Sequence, residues 1–216
     1  MFQTLVDVNT RIPSIWKRIL KDKYTNGVAE RCGKLIVLKM SGFHERVSKA
    51  LEFSNLKTII TPWFEEISRE TELCFNPQEA VEIFLYEHGN SSFYEDTFKF
   101  FELTDMKIPI CLVSDADNVM VEPLLEKFKF DNIFISENVG SYKNDSESRM
   151  FLKVLEHYQI MPERVLHIGD SYSDINGANS VGIKSCWINR NGLEWRHISK
   201  PDYIIKSLIE VLDVIA

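Results

Sequence analysis

The sequence predicts an α/β protein with a Rossmann-like, parallel, doubly wound sheet in three α/β/α layers, plus an inserted all-helical domain. Two observations lead to this prediction. After residue 91, short apolar runs alternate with segments whose apolar residues repeat at helical spacing, which is typical of successive strand–helix units. Residues 12–89 show helical periodicity and no clear strand pattern. We therefore expect a core domain at 1–9 and 90–216 and a helical domain at 10–89.

The segments of the helical domain are predicted from apolar stripes and from capping residues. The clearest start is Asn76-Pro77-Gln78-Glu79, which supplies an N-cap side chain, a proline at the first position and a glutamate at the third. That helix should run to Gly89, a C-terminal stop signal. Helices are expected around residues 15–20, 28–36, 44–51, 63–73 and 76–89.

The core domain is predicted from short apolar runs and the helical segments between them. The most informative stretch, 164–190, contains an apolar run that stops at Gly169, an acidic loop, a helical segment and a second apolar run. Ligands bind at the carboxyl ends of the strands in open α/β sheets, so the acidic loop marks a candidate site. Strands are expected at 109–113, 133–135, 165–168, 186–188 and 203–205, and further helices at 93–103, 118–128, 147–158 and 208–215.

Composition and charge narrow the function classes. The net charge of -7 argues against a nucleic-acid partner that is held by phosphate neutralisation, but it leaves a small phosphorylated substrate open. No apolar run reaches the roughly 18 residues of a membrane span. The four cysteines are scattered without metal-binding spacing, which favours a reduced, cytoplasmic protein.

Polar residues follow several predicted strands. Asp170 and Asp174 follow the strand at 165–168, and oxygen ligands of this kind suit Mg²⁺. Ser114 and Asp115 follow the strand at 109–113, and Lys143 lies in the loop after 133–135. Taken singly, each has a simpler explanation: Asp174 as an acid at a helix N-terminus, Ser114 or Asp115 as an N-cap, and Lys143 as a surface lysine.

In order and spacing, this set resembles the haloacid dehalogenase superfamily, most of whose members are magnesium-dependent phosphohydrolases. Ser114 matches the family's second motif, Lys143 its third, and Gly169-Asp170 with Asp174 its fourth. The helical domain matches the family's usual cap. The resemblance implies a hydrolase that acts on a small phosphorylated substrate with Mg²⁺ through an aspartyl-phosphate intermediate.

The family's first motif, Asp-x-Asp-x-Thr, would fit Phe2 and Thr4 if an aspartate preceded Met1. The nucleophile and its strand would then lie upstream of this sequence. In the doubly wound order that strand is central, and its loss would leave two neighbours with unpaired backbone groups. We therefore expect the working protein to be longer by one strand.

The resemblance also implies roles for individual residues. Asp170 and the backbone carbonyl of Phe2 would bind Mg²⁺, and Asp174 would orient a metal-bound water. Ser114, Lys143 and backbone N–H groups near Asp115 would bind the phosphate, with Lys143 acting as a point charge. Thr4 completes the first motif among the catalytic residues.

Phe2 departs from the family pattern, because most phosphatases of the family have an aspartate there as general acid and base. Such catalysis contributes roughly 10²–10⁴-fold. True haloacid dehalogenases have an aromatic residue at this position, so a metal-independent dehalogenase is the alternative. They lack the magnesium site, however, and Asp170 therefore favours the phosphohydrolase. A non-catalytic binding protein also stays open, since the nucleophile is absent from the sequence.

Overall fold

The computed structural model describes residues 1–43, 47, 52–104 and 108–215. The strands are β1 (Val6–Asp7), β2 (Ser92–Phe93), β3 (Cys111–Ser114), β4 (Asn132–Ile135), β5 (Leu166–Gly169), β6 (Lys184–Ile188) and β7 (Tyr203–Ile205). The α-helices are α1 (Ile12–Leu20), α2 (Asn26–Ser41), α3 (Leu56–Thr71), α4 (Pro77–His88), α5 (Glu95–Thr104), α6 (Asn118–Leu125), α7 (Ser136–Val139), α8 (Arg149–Tyr158), α9 (Tyr172–Ser180) and α10 (Val211–Ile215). Short 3₁₀ turns cover Val8–Arg11, Lys21–Lys23, Pro162–Arg164 and Leu208–Glu210. No helix among the described residues has the length and apolar character needed to cross a membrane.

The parallel strands form two ladders. β3 pairs with β4, with Ser114 opposite Ile135, and β5, β6 and β7 pair in that order, with Gly169 opposite Trp187. The strands alternate with helices along the chain, so the predicted parallel α/β fold is confirmed. Within the described residues, β3 pairs with β4 alone and β5 with β6 alone. β1 and β2 form a separate two-stranded sheet, so the strands of the described residues fall into three sheets, where the sequence pattern indicates one.

The chain divides into two compact units. The first contains residues 1–7, 93–115 and 130–216, and it holds both parallel ladders. Its apolar core joins side chains of β3 and β4 to one face of α8 and to α9, because these helices turn their buried residues towards the strands. The buried members of this core are Val113, Phe134, Met150, Phe151, Val154, Ala178 and Ile183.

The second unit contains residues 8–92 and 116–129. Its core includes the fully buried ring of Phe64, which lies 6.3 Å from the ring of Trp16 and 5.6 Å from that of Phe84. Helix α4 begins as predicted, because the Asn76 side chain accepts hydrogen bonds from the Gln78 and Glu79 amides at 2.9 and 3.1 Å. Residues 116–129, which include α6, belong to this unit, whereas the sequence pattern assigned them to the core domain.

Helix α3 begins earlier than the sequence indicates. The predicted start lies after Pro62, but the helix begins at Leu56, with Asn55 as N-cap. The Asp117 carboxylate also accepts hydrogen bonds from the Leu56 and Lys57 amides, each at 2.8 Å. Asp117 thus satisfies amides at the start of a helix that is distant in sequence. The helix predicted at 44–51 lies outside the described residues, except for position 47.

Candidate functional site

The candidate site is built at the carboxyl ends of three parallel strands of the first unit. Asp115 directly follows β3, Lys143 lies in the loop after β4 and α7, and Asp170 directly follows β5. Because these strands run parallel within their ladders, the residues that follow them lie at the edge where α/β proteins bind ligands.

Lys143 and Asp174 form a buried ion pair at the centre of this site. The Lys143 ammonium contacts Asp174 Oδ1, and the two side chains are 9% and 5% exposed. The Lys143 backbone amide donates a 2.8 Å hydrogen bond to Asp115 Oδ1, so the loop is fixed through both its main chain and its side chain. Burial alone would lower the pKa of Lys143, but the charges of Asp174 and Asp115 raise it above its usual value. Lys143 is therefore a permanent positive charge.

Asp174 is held by the start of its own helix. Its Oδ2 accepts hydrogen bonds from the amide of Ser171 at 3.1 Å and from the Ser171 hydroxyl at 2.5 Å, completing a reciprocal capping arrangement. Its Oδ1 faces Lys143 and lies 2.9 Å from His167 Nε2. Burial by itself would raise the pKa of Asp174, but Lys143 and His167 outweigh it and hold that pKa well below its usual value. Asp174 is ionised, and both of its oxygens are engaged.

A glycine is needed where β5 ends beside this carboxylate. A Cβ atom at Gly169 would overlap the Asp174 side chain, because β5 and the start of α9 approach each other closely there. The Gly-Asp pair of the sequence motif therefore has a packing reason as well as a chemical one.

Asp170 differs from Asp174 in its electrostatics. Thr4 Oγ1 donates a 2.8 Å hydrogen bond to Asp170 Oδ1, and the indole Nε1 of Trp187 donates to the Asp170 backbone carbonyl at 3.0 Å. Burial, together with the charge of Asp174, raises the pKa of Asp170 to about 6, although Lys143 and the Thr4 hydroxyl partly oppose this. A carboxylate that is costly to ionise beside another carboxylate is a suitable ligand for a cation.

The other predicted site residues lie near these groups along the chain. Ser114 is buried at the end of β3, next to Asp115. Phe2 forms a parallel bridge with Val6 and lies two residues before Thr4. The structure joins Thr4 to Asp170, and Asp115 and Asp174 to Lys143, by direct hydrogen bonds or ion pairs. Ser114 and Phe2 are placed beside the site by their positions in the chain.

His167 and Arg190 contact residues of this site, although the sequence did not predict them as site residues. His167 was interpreted as a packed core residue; its ring does lie 4.8 Å from that of Phe151, but Nε2 also faces Asp174. Burial lowers the pKa of His167, so the neutral ring donates this hydrogen bond. Arg190, after β6, donates to the Thr4 carbonyl at 2.7 Å. Its place just past the carboxyl end of a parallel strand was the signal that could have found it.

The donor chemistry of the site fits a hard divalent cation. Within the described part of the chain, no cluster of three or more His, Cys, Asp or Glu side chains could enclose a metal ion. Magnesium usually keeps several waters and takes only one or two carboxylates together with substrate phosphates. Asp170 is one such carboxylate, and Asp174 is close enough to influence its charge.

The fold described above is that of a haloacid dehalogenase-like hydrolase. The family model with that description matches residues 1–182, and the chain belongs to this family. It is 32% identical to the glyceraldehyde 3-phosphate phosphatase of Pyrococcus furiosus over 90 residues, which make up 40% of this chain and 37% of that protein. This chain therefore spans well under half the length of that curated relative.

The solved structures with the same fold include both a HAD-hydrolase and a haloacid dehalogenase. The HAD-hydrolase YfnB of Bacillus subtilis, solved with magnesium bound, superposes with a TM-score of 0.84 at 18% identity, over 99% of this chain and 95% of that one. The L-2-haloacid dehalogenase of Xanthobacter autotrophicus superposes with a TM-score of 0.79 at 14% identity, over 99% and 95% of the two chains. At these identities the likeness shows the fold alone.

Proposed function

We propose that this protein is a magnesium-dependent phosphohydrolase that acts on a small phosphorylated metabolite. The observation that carries the proposal is the arrangement of Asp170, Asp174 and Lys143 at the strand ends. One carboxylate is paired with the lysine, and the other is left with a pKa raised to about 6 by burial and by its neighbour. Phosphoryl transfer consists mainly of positioning and charge neutralisation, which such a cluster can supply.

Asp170 is the proposed direct ligand of Mg²⁺, with the Phe2 carbonyl as a second ligand and Asp174 acting through a bound water. When bound, the cation would neutralise charge on the phosphoryl oxygens. The Thr4 hydroxyl, 2.8 Å from Asp170, orients the carboxylate and lowers the cost of its charge. The magnesium-bound relative YfnB supports this assignment at the level of the fold.

Phosphate binding is proposed for Ser114, Lys143 and the backbone beside Asp115. The Lys143 ammonium is fixed by Asp174 and provides a point charge for the phosphate. The Asp115 carboxylate accepts from the Lys143 amide, and its negative charge would repel a phosphate. Asp115 therefore contributes by holding the Lys143 loop and through its own N–H group. Ser114 contributes its hydroxyl from the end of β3.

The proposal includes an aspartyl-phosphate intermediate, as the resemblance to the family implies. The helical unit at 8–92 and 116–129 is proposed as the cap that selects the substrate.

The test is phosphate release from a panel of small phosphate esters, measured with Mg²⁺ and with EDTA. The chain is assayed as given and in a form extended through the upstream reading frame. Magnesium-dependent release that is lost in Asp170→Asn, and kept in the exposed control Asp213→Asn, supports the proposal. Absence of release in both forms at every substrate contradicts it and favours a non-catalytic binding role.

A haloacid dehalogenase is the second candidate, favoured by Phe2 at the position of the usual general acid. The fold similarity to the Xanthobacter autotrophicus dehalogenase is compatible with it. This candidate is supported if the protein releases halide from a 2-haloacid in the presence of EDTA and releases no phosphate from phosphate esters in the presence of Mg²⁺.

A further inference from the structure

Residues 3–5, which we call the Thr4 segment, accept hydrogen bonds from residues that follow β2 and β6. The Thr4 carbonyl accepts a 2.7 Å hydrogen bond from Arg190 Nη2, and the Gln3 side chain accepts one of 2.7 Å from the Tyr94 hydroxyl. The Leu5 carbonyl accepts from the Tyr94 amide at 3.0 Å and from Thr97 Oγ1 at 2.8 Å. Each residue of the segment thus has its own anchor.

The segment needs such anchors because its backbone is unusual. Gln3 has a φ of 58°, in the left-handed region that residues with a side chain seldom adopt. Conformations of this kind persist where the surroundings enforce them, and they concentrate at functional sites. The enforced turn places the Thr4 hydroxyl 2.8 Å from Asp170 Oδ1.

Arg190 is itself fixed in one orientation. Its Nη1 donates to Asp96 Oδ2 at 2.9 Å, and its guanidinium carbon lies 3.8 Å from the centre of the Tyr94 ring. The same Asp96 oxygen accepts from the Leu208 amide at 2.8 Å, which fixes the carboxylate in turn. The Arg190 and Asp96 side chains are only 16% and 15% exposed. A planar guanidinium can hold a carboxylate and a carbonyl at once, which a lysine ammonium cannot do with the same geometry.

Arg190 and Trp187, three residues earlier in the chain, both help to hold Asp170. Trp187 donates to the Asp170 backbone carbonyl at 3.0 Å, while Arg190 holds the carbonyl of the threonine that donates to the Asp170 side chain. The end of β6 therefore fixes both the main chain of Asp170 and the donor to its carboxylate.

We propose that Arg190 is a positioning residue for the cation site: by holding the Thr4 carbonyl, it keeps the Thr4 hydroxyl on Asp170 and so fixes the carboxylate in the orientation that binds Mg²⁺. The inference rests on the proposed function for the identity of the cation. The contacts between Arg190 and the Thr4 segment do not depend on the proposed function. Outer-shell partners of metal ligands typically contribute roughly 10- to 100-fold to metal affinity.

The experiment compares Arg190→Lys and Arg190→Gln with the control Arg196→Gln. Arg196 is 80% exposed and pairs with the exposed Glu194, so its replacement removes an arginine without touching the Thr4 segment. Arg190→Lys keeps a positive charge for Asp96 but lacks the planar fork that binds Asp96 and the Thr4 carbonyl together. If Arg190→Gln fails to fold, Arg190→Lys alone provides the test. The Mg²⁺ dissociation constant is measured by calorimetry, and hydrogen exchange is followed in the peptide covering residues 1–7.

We expect Mg²⁺ affinity to fall roughly 10- to 100-fold in both Arg190 variants, with wild-type affinity in Arg196→Gln. Exchange in residues 1–7 should rise at least about tenfold in the Arg190 variants and not in the control. Wild-type affinity in a folded Arg190→Lys protein would overturn the positioning role, even if its melting temperature has dropped.

Failure of the proposed function is recognised separately. If the wild type binds no Mg²⁺, the magnesium assignment of Asp170 is wrong, and the exchange measurement alone then judges the hold on the Thr4 segment. Unchanged exchange in the Arg190 variants would refute the inference whether or not the metal binds.

Discussion

Replacing Asp170 by asparagine should stabilise the metal-free protein at neutral pH while abolishing its response to Mg²⁺. The pKa of Asp170 in the folded chain is raised to about 6 by burial and by the charge of Asp174. An aspartate in an unfolded chain has a pKa of about 3.9, and a difference of one corresponds to about 1.4 kcal/mol. Ionisation of Asp170 therefore costs the folded protein at most about 3 kcal/mol, and about 2 kcal/mol after allowance for its partial exposure.

The pH dependence follows from the direction of this difference. Because the pKa is higher in the folded state, the folded protein binds more protons than the unfolded chain between about pH 4 and pH 6. Below about pH 4, Asp170 is protonated in both states and its ionisation costs the folded protein nothing. Between about pH 4 and pH 6 this cost grows and the free energy of unfolding falls; above about pH 6 the cost is constant. Asparagine keeps an oxygen that can accept from Thr4 and carries no charge at any pH.

The assay is urea unfolding in EDTA at pH 4.5 and pH 8, on wild type, Asp170→Asn and the exposed control Asp213→Asn. We expect Asp170→Asn to raise the free energy of unfolding by about 2 kcal/mol at pH 8 and by much less at pH 4.5. The control should stay within about 0.5 kcal/mol of wild type at both pH values. Adding Mg²⁺ should stabilise wild type and the control but not Asp170→Asn.

Two results would refute this reasoning. A metal-free Asp170→Asn protein that is no more stable than wild type at pH 8 would show that ionised Asp170 is not destabilised by its surroundings. A gain of equal size at both pH values would show that the effect comes from packing, because a charge effect must fade as Asp170 becomes protonated.

The remaining predictions concern Lys143 and the helix packed against it. Lys143→Met should lower the free energy of unfolding at pH 7 by about 3–5 kcal/mol in a urea titration, since it leaves Asp174 charged and buried. The control Lys184→Met removes a lysine from an exposed ion pair and should lower the same free energy by under about 1 kcal/mol. Equal losses in the two variants would contradict the assignment. Gly177→Ala should destabilise by at least about 2 kcal/mol, because its Cβ would overlap the Lys143 carbonyl. Gly27→Ala, in open space in α2, should instead stabilise by up to about 1 kcal/mol by thermal unfolding.

The sequence predicted those parts of the fold that depend on local patterns. Asn76 caps α4 as expected, and the strand–helix alternation after residue 91 produces parallel ladders. It did not predict the start of α3, because the Asp117 carboxylate that holds the first amides of this helix is about sixty residues away in the sequence. Such a contact carries no local periodicity.

The sequence likewise predicted those residues of the candidate site that match local motifs, but not the residues that act through distant contacts. Asp170, Asp174 and Lys143 could be named because each follows a strand and matches a motif, and the structure brings Lys143 onto Asp174. Arg190 matches none of these motifs, because its role depends on the backbone carbonyl of Thr4, which is 186 residues away in the sequence. Residues that act through the backbone of another segment leave little trace in sequence spacing.

The charge balance around Lys143 separates the two candidate reactions. Three carboxylates, Asp115, Asp170 and Asp174, raise the pKa of this single ammonium, and the nearby His167 has its pKa lowered and is neutral at pH 7. The cluster thus carries an excess of negative charge, and a phosphate brought beside it would increase that excess. A divalent cation at Asp170 would offset the excess and attract the phosphate at the same time. A metal-independent dehalogenase would gain nothing from a second, half-buried aspartate that resists ionisation, so Asp170 favours the proposed phosphohydrolase despite the aromatic residue at Phe2.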